Sequence, residues 1–94
     1  MPGGTRTEAL PMKITFKLYA TLSDYLPAGQ RHNAIELEIE PSTTIADLVE
    51  RFHLPPRLVH LVLVNGVYIA PEQRLARTLA PGDALAIWPP VAGG

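Results

Sequence analysis

Cysteine is missing from this sequence altogether. That excludes a disulfide framework, and it excludes any side chain that could act as a cysteine nucleophile or carry a persulfide. Lysine is scarce, with only Lys13 and Lys17, and the six arginines are scattered along the chain. Eight basic residues stand against nine acidic ones for a formal charge of −1, so no basic patch argues for nucleic acid. No apolar run approaches membrane-spanning length, and the N-terminus lacks the basic stretch and apolar run of a secretory signal. A cytoplasmic protein without membrane contact is the expectation. What is present is a short chain of 94 residues, 47% apolar and 18% charged, which is globular composition. One domain with a thin core follows from that length.

Residues 1–11 hold Pro2, Gly3 and Gly4 and show no periodicity, which reads as a disordered extension. The domain is expected over 12–90. Ile14, Phe16 and Leu18 alternate with Thr15, Lys17 and Tyr19, the pattern of a half-buried strand. Thr21 to Asn33 reads as a loop marked by Pro27 and Gly29. Ile35, Leu37 and Ile39 then alternate with Glu36, Glu38 and Glu40, a second strand with one wet face, stopped by Pro41.

The period changes next. Ile45, Leu48, Val49 and Phe52 fall on one helical stripe, with Thr44 as N-cap and Asp47 completing an acidic capping box. Pro55 and Pro56 forbid helix beyond about Leu54. Leu58 to Val64 is an apolar run broken only by His60, and Asn65-Gly66 then turns it into Val67, Tyr68 and Ile69. Asn-Gly between β-rich runs signals a hairpin, because both residues tolerate positive φ. Pro71 to Ala80 reads as irregular with one short helical turn, and Pro81-Gly82 as a turn. Ala84 to Trp88 is the last strand, ended by Pro89 and Pro90, which cannot donate to a ladder. The order β-β-α-β-β-β predicts an α+β, β-grasp fold: a mixed sheet of four or five strands covered by one helix.

Residues 91–94, Val91-Ala92-Gly93-Gly94, form a flexible tail in this reading. Pro89-Pro90 favours a stiff, extended exit pointing away from the fold. Beyond it the side chains dwindle, and a Gly-Gly segment can thread a channel too narrow for side chains. It would deliver one group, the main-chain carboxylate of Gly94. A carboxylate must first become an anhydride, usually an acyl-adenylate, before a sulfur nucleophile can displace AMP and leave a thiocarboxylate. The chain has no phosphate loop and no ordered acid–base pair for those steps, so it reads as a carrier and not an enzyme. Glycine-ended tails are also common as frayed termini. The rigid Pro-Pro and the β-grasp pattern favour the carrier.

The run Trp88-Pro89-Pro90-Val91-Ala92-Gly93-Gly94, the segment Leu79-Ala80-Pro81-Gly82-Asp83, the helix start Thr44-Ile45-Ala46-Asp47-Leu48 and the hairpin Leu63-Val64-Asn65-Gly66 resemble the MoaD/ThiS family of sulfur carriers. By its tail the chain is most similar to the small subunit of molybdopterin synthase. The stretch Leu18 to Pro27 looks closer to a ubiquitin-like domain fused to some predicted nucleases. The carrier resemblance implies that a MoeB- or ThiF-like enzyme adenylates Gly94 with Mg-ATP, and that a persulfide donor supplies the sulfur. It also implies delivery of that sulfur in an acceptor such as the molybdopterin synthase large subunit, acting on cyclic pyranopterin monophosphate. A thiamine or other sulfur pathway, or conjugation of Gly94 to target lysines, shares the same activation.

Trp88 lies opposite Leu85 and Ile87 on strand parity, so it is expected beside the tail as a partner contact, together with Pro89, Pro90, Val91, Ala92 and Gly93; the alternative is that Trp88 packs over the sheet edge. Either Val62 and Val64 or Leu61 and Leu63 must face away from the helix, where with Ala84 and Ala86 they would form an apolar patch or a second small core under 71–80. His32, His53 and His60 share no metal-ligand spacing, so neither a metal nor a bound cofactor is expected. Glu36, Glu38 and Glu40 read as a solvated strand face. Arg51, Arg57, Arg74 and Arg77 read as solubilising residues or as charges that steer acidic partners.

Overall fold

The computed structural model describes residues 10–27 and 33–90. The expected extension through residue 9, residues 28–32 of the first loop and the 91–94 tail lie outside them. Five strands and one α-helix follow in the order β1 (Met12–Leu18), β2 (Ala34–Ile39), α1 (Ile45–Arg51), β3 (Leu61–Val64), β4 (Val67–Tyr68) and β5 (Ala84–Trp88). They make one mixed sheet in the order β2-β1-β5-β3-β4. The two central strands, β1 and β5, run parallel, and every other pairing is antiparallel. This is the β-grasp arrangement.

Pleating sorts the side chains. Phe16 pairs with Leu85 and Leu18 with Ile87, while Val62 pairs with Ile87 and Val64 with Leu85. All six are buried on the face that α1 covers with Ile45 and Leu48. Phe52, just past the helix, leans on Phe16 at 4.8 Å between ring centroids. The capping box at the helix start is formed as expected: Asp47 N–H donates to Thr44 Oγ1 at 3.1 Å, and Thr44 N–H donates to an Asp47 carboxylate oxygen at 3.0 Å.

Three boundaries differ from expectation. The segment after β1 contains a 3₁₀ helix, Ala20–Tyr25, which buries Leu22 and sets Leu26 at the core edge; two turns are too short to display a period in sequence. Helix α1 stops at Arg51, ahead of the prolines, because His53 adopts φ 59°. There the His53 N–H donates to Glu50 O and the Leu54 N–H to Val49 O, a Schellman closure with histidine where glycine is usual. The apolar run from Leu58 splits, since Pro56–Leu58 forms a 3₁₀ turn and the strand begins only at Leu61. Proline at the first position of such a turn loses no hydrogen bond.

Asn65 does more than turn the hairpin. It sits at φ 52° with Gly66 at φ 82°. Its Nδ2 donates to Asp83 Oδ1 at 2.8 Å, and its Oδ1 accepts from Ala84 N–H at 2.8 Å. The turn is thereby tied to the start of β5. Asn65→Ala is expected to cost about 2 kcal/mol, from left-handed strain and two lost bonds. Asn65→Gly, which relieves the strain but still loses both bonds, should cost roughly half as much; urea denaturation of the two variants reads the difference.

Candidate functional site

The root of the tail is held from both sides. Tyr19 N–H donates to Ile87 O at 3.1 Å, and His60 N–H donates to Trp88 O at 3.1 Å. The Tyr19 and Trp88 rings stack at 4.2 Å with 3° between their planes. Such a pair adds about 1 kcal/mol beyond the area it buries. Trp88 is therefore half-buried, with one face covered by Tyr19, and is not a free aromatic. Pro89 is buried and Pro90 exposed. Of the Pro89-Pro90 pair expected to form a stiff exit, Pro89 packs against the body and only Pro90 is exposed. Tyr19 carried no signal in sequence: its parity was readable, but its neighbour depends on the parallel β1–β5 register.

The second component is the sheet face away from α1. Register places Tyr68, Leu63, Ala86, Lys17 and Ala34 in one row across the five strands. Leu61 lies opposite Trp88 in a neighbouring row. Of the two alternatives for β3, Leu61 and Leu63 face this side and Val62 and Val64 the core. Among the described residues the large buried apolar side chains, Leu79 of the 71–80 segment included, form one cluster. Backbone bonds from Ile45 N–H to Arg77 O and from Ala46 N–H to Arg74 O hold that segment beside the start of α1. The open face is thus apolar at the β5–β3–β4 end, next to the tail root, and charged at the β1–β2 end with Lys13, Lys17, Glu36 and Glu38. The three glutamates 36, 38 and 40 are exposed, as their alternation suggested.

Arg74 departs from its expected role. It is 9% exposed. Its Nε and Nη2 donate to Ile69 O at 3.2 and 3.1 Å, Nη2 also donates to His60 O at 3.3 Å, and Nη1 to Val59 O at 3.4 Å. A scattered arginine is usually solvated, but this one staples the entry of β3 to the exit of β4 through carbonyl dipoles. His53 and His60 are exposed, and His32 lies outside the described residues. Among the described residues no group of histidines and carboxylates could hold a metal. No helix among them is long and apolar enough to cross a membrane. Gly94, Gly93, Ala92 and Val91, the heart of the expected site, also lie outside the described residues.

The sequence matches the family described as Mut7-C ubiquitin over residues 11–93. Among solved structures, the Haloferax volcanii HVO 2177 protein is 26% identical with a TM-score of 0.70, covering 98% of this chain and 100% of that one. SAMP1 from Haloferax volcanii is 29% identical with a TM-score of 0.60, covering 87% and 99%. A Pyrococcus furiosus protein described as molybdopterin converting factor, subunit 1, shares 21% identity and a TM-score of 0.60 over 85% and 99%, a likeness of fold alone. No curated protein matches.

Proposed function

The chain belongs to the Mut7-C ubiquitin family, and from that premise we propose that it is a sulfur carrier working through the carboxylate of Gly94. The observation that carries the reading is the placement of the tail root. The last two ladder carbonyls are fixed by Tyr19 and His60, and the Trp88 side chain lies on the apolar part of the open sheet face. A partner that docks on Leu61, Leu63 and Ala86 meets the tail at a known distance. From the Trp88 carbonyl the six residues 89–94 span at most about 20 Å. That reach is enough to carry Gly94 into a partner's active site while the domain stays outside.

The chemistry follows. A MoeB- or ThiF-like enzyme uses Mg-ATP to convert the carboxylate to an acyl-adenylate, releasing pyrophosphate. Sulfur from a persulfide donor displaces AMP, and a second thiol frees the thiocarboxylate by disulfide formation. The domain contributes docking and reach rather than a catalytic side chain. It would serve as the small subunit of a sulfurtransferase. The Trp88–Gly94 resemblance favours the molybdopterin synthase large subunit as acceptor. The likeness to SAMP1, a small archaeal modifier protein by name, favours conjugation to lysines as a second reading.

Intact-mass analysis after incubation with the activating enzyme, Mg-ATP and a persulfide donor is the test. The expected product gains the mass of oxygen replaced by sulfur, located to Gly94 by fragmentation. No change with any activator of this class would end the reading. Gly94-linked ladders on target proteins with no thiocarboxylate would instead select the modifier.

A further inference from the structure

The two outer strands of the described sheet are β2 and β4, and they differ. β4 is two residues long and offers almost no backbone to a further strand. β2 is six residues long, which spans about 20 Å.

The free side of β2 follows from β1. Leu18 N–H donates to Asn33 O, towards β2, whereas Thr15 N–H donates to Asp83 O and Tyr19 N–H to Ile87 O, towards β5. Backbone groups alternate in direction along a strand, so Ile14 and Phe16 also turn theirs to β2, where they meet Leu37 and Ile35. Glu36 and Glu38 therefore point the other way. Their N–H and C=O groups line the outer edge, with no strand beside them among the described residues. Beyond them the edge closes, because Glu40 O accepts from Thr43 N–H.

Such an edge is a template for one more strand, and its side chains select which. Glu36 and Glu38 are exposed, and neither carboxylate has a hydrogen bond or ion pair among the described residues. Across the ladder Glu38 faces Lys13 while Glu36 faces Thr15, so the uncompensated negative charge is greatest at Glu36. A second copy is a poor occupant. β2 against β2 sets two rows of glutamates side by side, and like charges directly across a ladder are destabilising. On the helix-facing side the same edge is apolar. Ile35 pairs with Phe16, Phe52 leans on that ring, and Ile35 and Phe52 are only half-buried.

We infer that β2 takes up an extended basic segment of a partner protein as a sixth strand of the sheet. The segment carries Lys or Arg at every second position, opposite Glu36 and Glu38, and apolar residues between them, opposite Ile35 and Leu37. The main-chain groups of Glu36 and Glu38 supply the attachment, and their carboxylates choose the partner. β1 separates β2 from β5, so the added strand leaves Trp88 and the apolar end of the open face uncovered. The inference is independent of the carrier reading, since a sulfur carrier and a protein modifier present the same edge.

The test titrates the full chain with the peptide acetyl-Lys-Val-Lys-Val-Lys-Val-amide into the millimolar range, read by ¹⁵N–¹H shifts and amide exchange. The Glu36 and Glu38 amides should shift and exchange more slowly, while those of Leu61, Leu63 and Ala86 stay in place. The same peptide with glutamate for lysine should not bind. Methylating the main-chain nitrogens of the lysines, which turn to the edge, should weaken binding about tenfold or more. Methylating those of the valines, which turn away from it, should weaken binding far less. Glu36→Gln should weaken binding about threefold, and Glu38→Gln less, because Lys13 already shares Glu38. Both sites are exposed, and an unchanged melting midpoint shows that the fold is kept. Unmoved Glu36 and Glu38 amides, equal binding of the acidic peptide, or equal effects of the two methylation patterns overturn the inference. So does slow exchange of these two amides in the free protein. The edge is then already covered, by another part of the chain or, where protection fades on dilution, by a second copy.

Discussion

Deleting Gly94 is expected to abolish thiocarboxylate formation while leaving the thermal midpoint unchanged. The shortened chain still ends in a glycine carboxylate, so its intrinsic chemistry is preserved. What changes is reach, by about 3.4 Å per residue. Acyl transfer needs the reacting atoms within near-attack distance, and misplacement by even 1 Å can cost about 10²-fold. A loss of at least that size in kcat/KM is therefore expected, measured by pyrophosphate release with the activating enzyme. The stability should not move, because among the described residues the last buried one is Pro89 and the last ladder carbonyl is that of Trp88. Equal activity of the truncated chain would remove Gly94 from the mechanism; a lowered midpoint would make the tail part of the fold.

The second large effect concerns Arg74. Arg74→Met keeps the length of the side chain and removes every donor. It leaves the carbonyls of Val59, His60 and Ile69 without the guanidinium that now serves all three. At about 1 kcal/mol or more for each carbonyl left short, the expected cost is about 3 kcal/mol. For a domain this size that corresponds to a fall in Tm of about 15 °C. Arg74→Lys should recover only part of it, since an ammonium cannot present donors in a planar fork to carbonyls on two segments. Calorimetry of both variants would check the order. A cost for Arg74→Met below about 0.5 kcal/mol, the range of ordinary surface substitutions, would mean that the carbonyls find water and that the staple is unimportant.

The two effects sit at opposite ends of one short path. Arg74 fixes the carbonyls of Val59 and His60, the His60 N–H fixes the carbonyl of Trp88, and Trp88 launches the tail. Loss of the staple is therefore expected to blur the position from which Gly94 is delivered, through a chain of polar contacts that no single segment displays.

Local pattern determined much of this protein. Period-two alternation sets β1 and β2, a helical stripe with its capping box sets α1, and Asn65-Gly66 sets the hairpin, because each depends on residues within a few positions of one another. The order of those elements was enough to give the β-grasp fold. The C-terminal glycines and their prolines are also a purely sequential feature, and together with the β-grasp pattern they suggested the carrier chemistry. Other features depended on which strands became neighbours. Parallel pairing of β1 with β5 brought Tyr19 onto Trp88 and covered a ring that parity left open. Sheet register chose Leu61 and Leu63 over Val62 and Val64 for the open face. The 3₁₀ helix at Ala20–Tyr25 and the split of the Leu58–Val64 run follow from packing over too few residues to leave a period. Arg74 is the clearest case. By composition it is one more scattered arginine, and only the approach of the β3 entry to the β4 exit surrounds it with carbonyl oxygens and turns a solvated charge into a buried one.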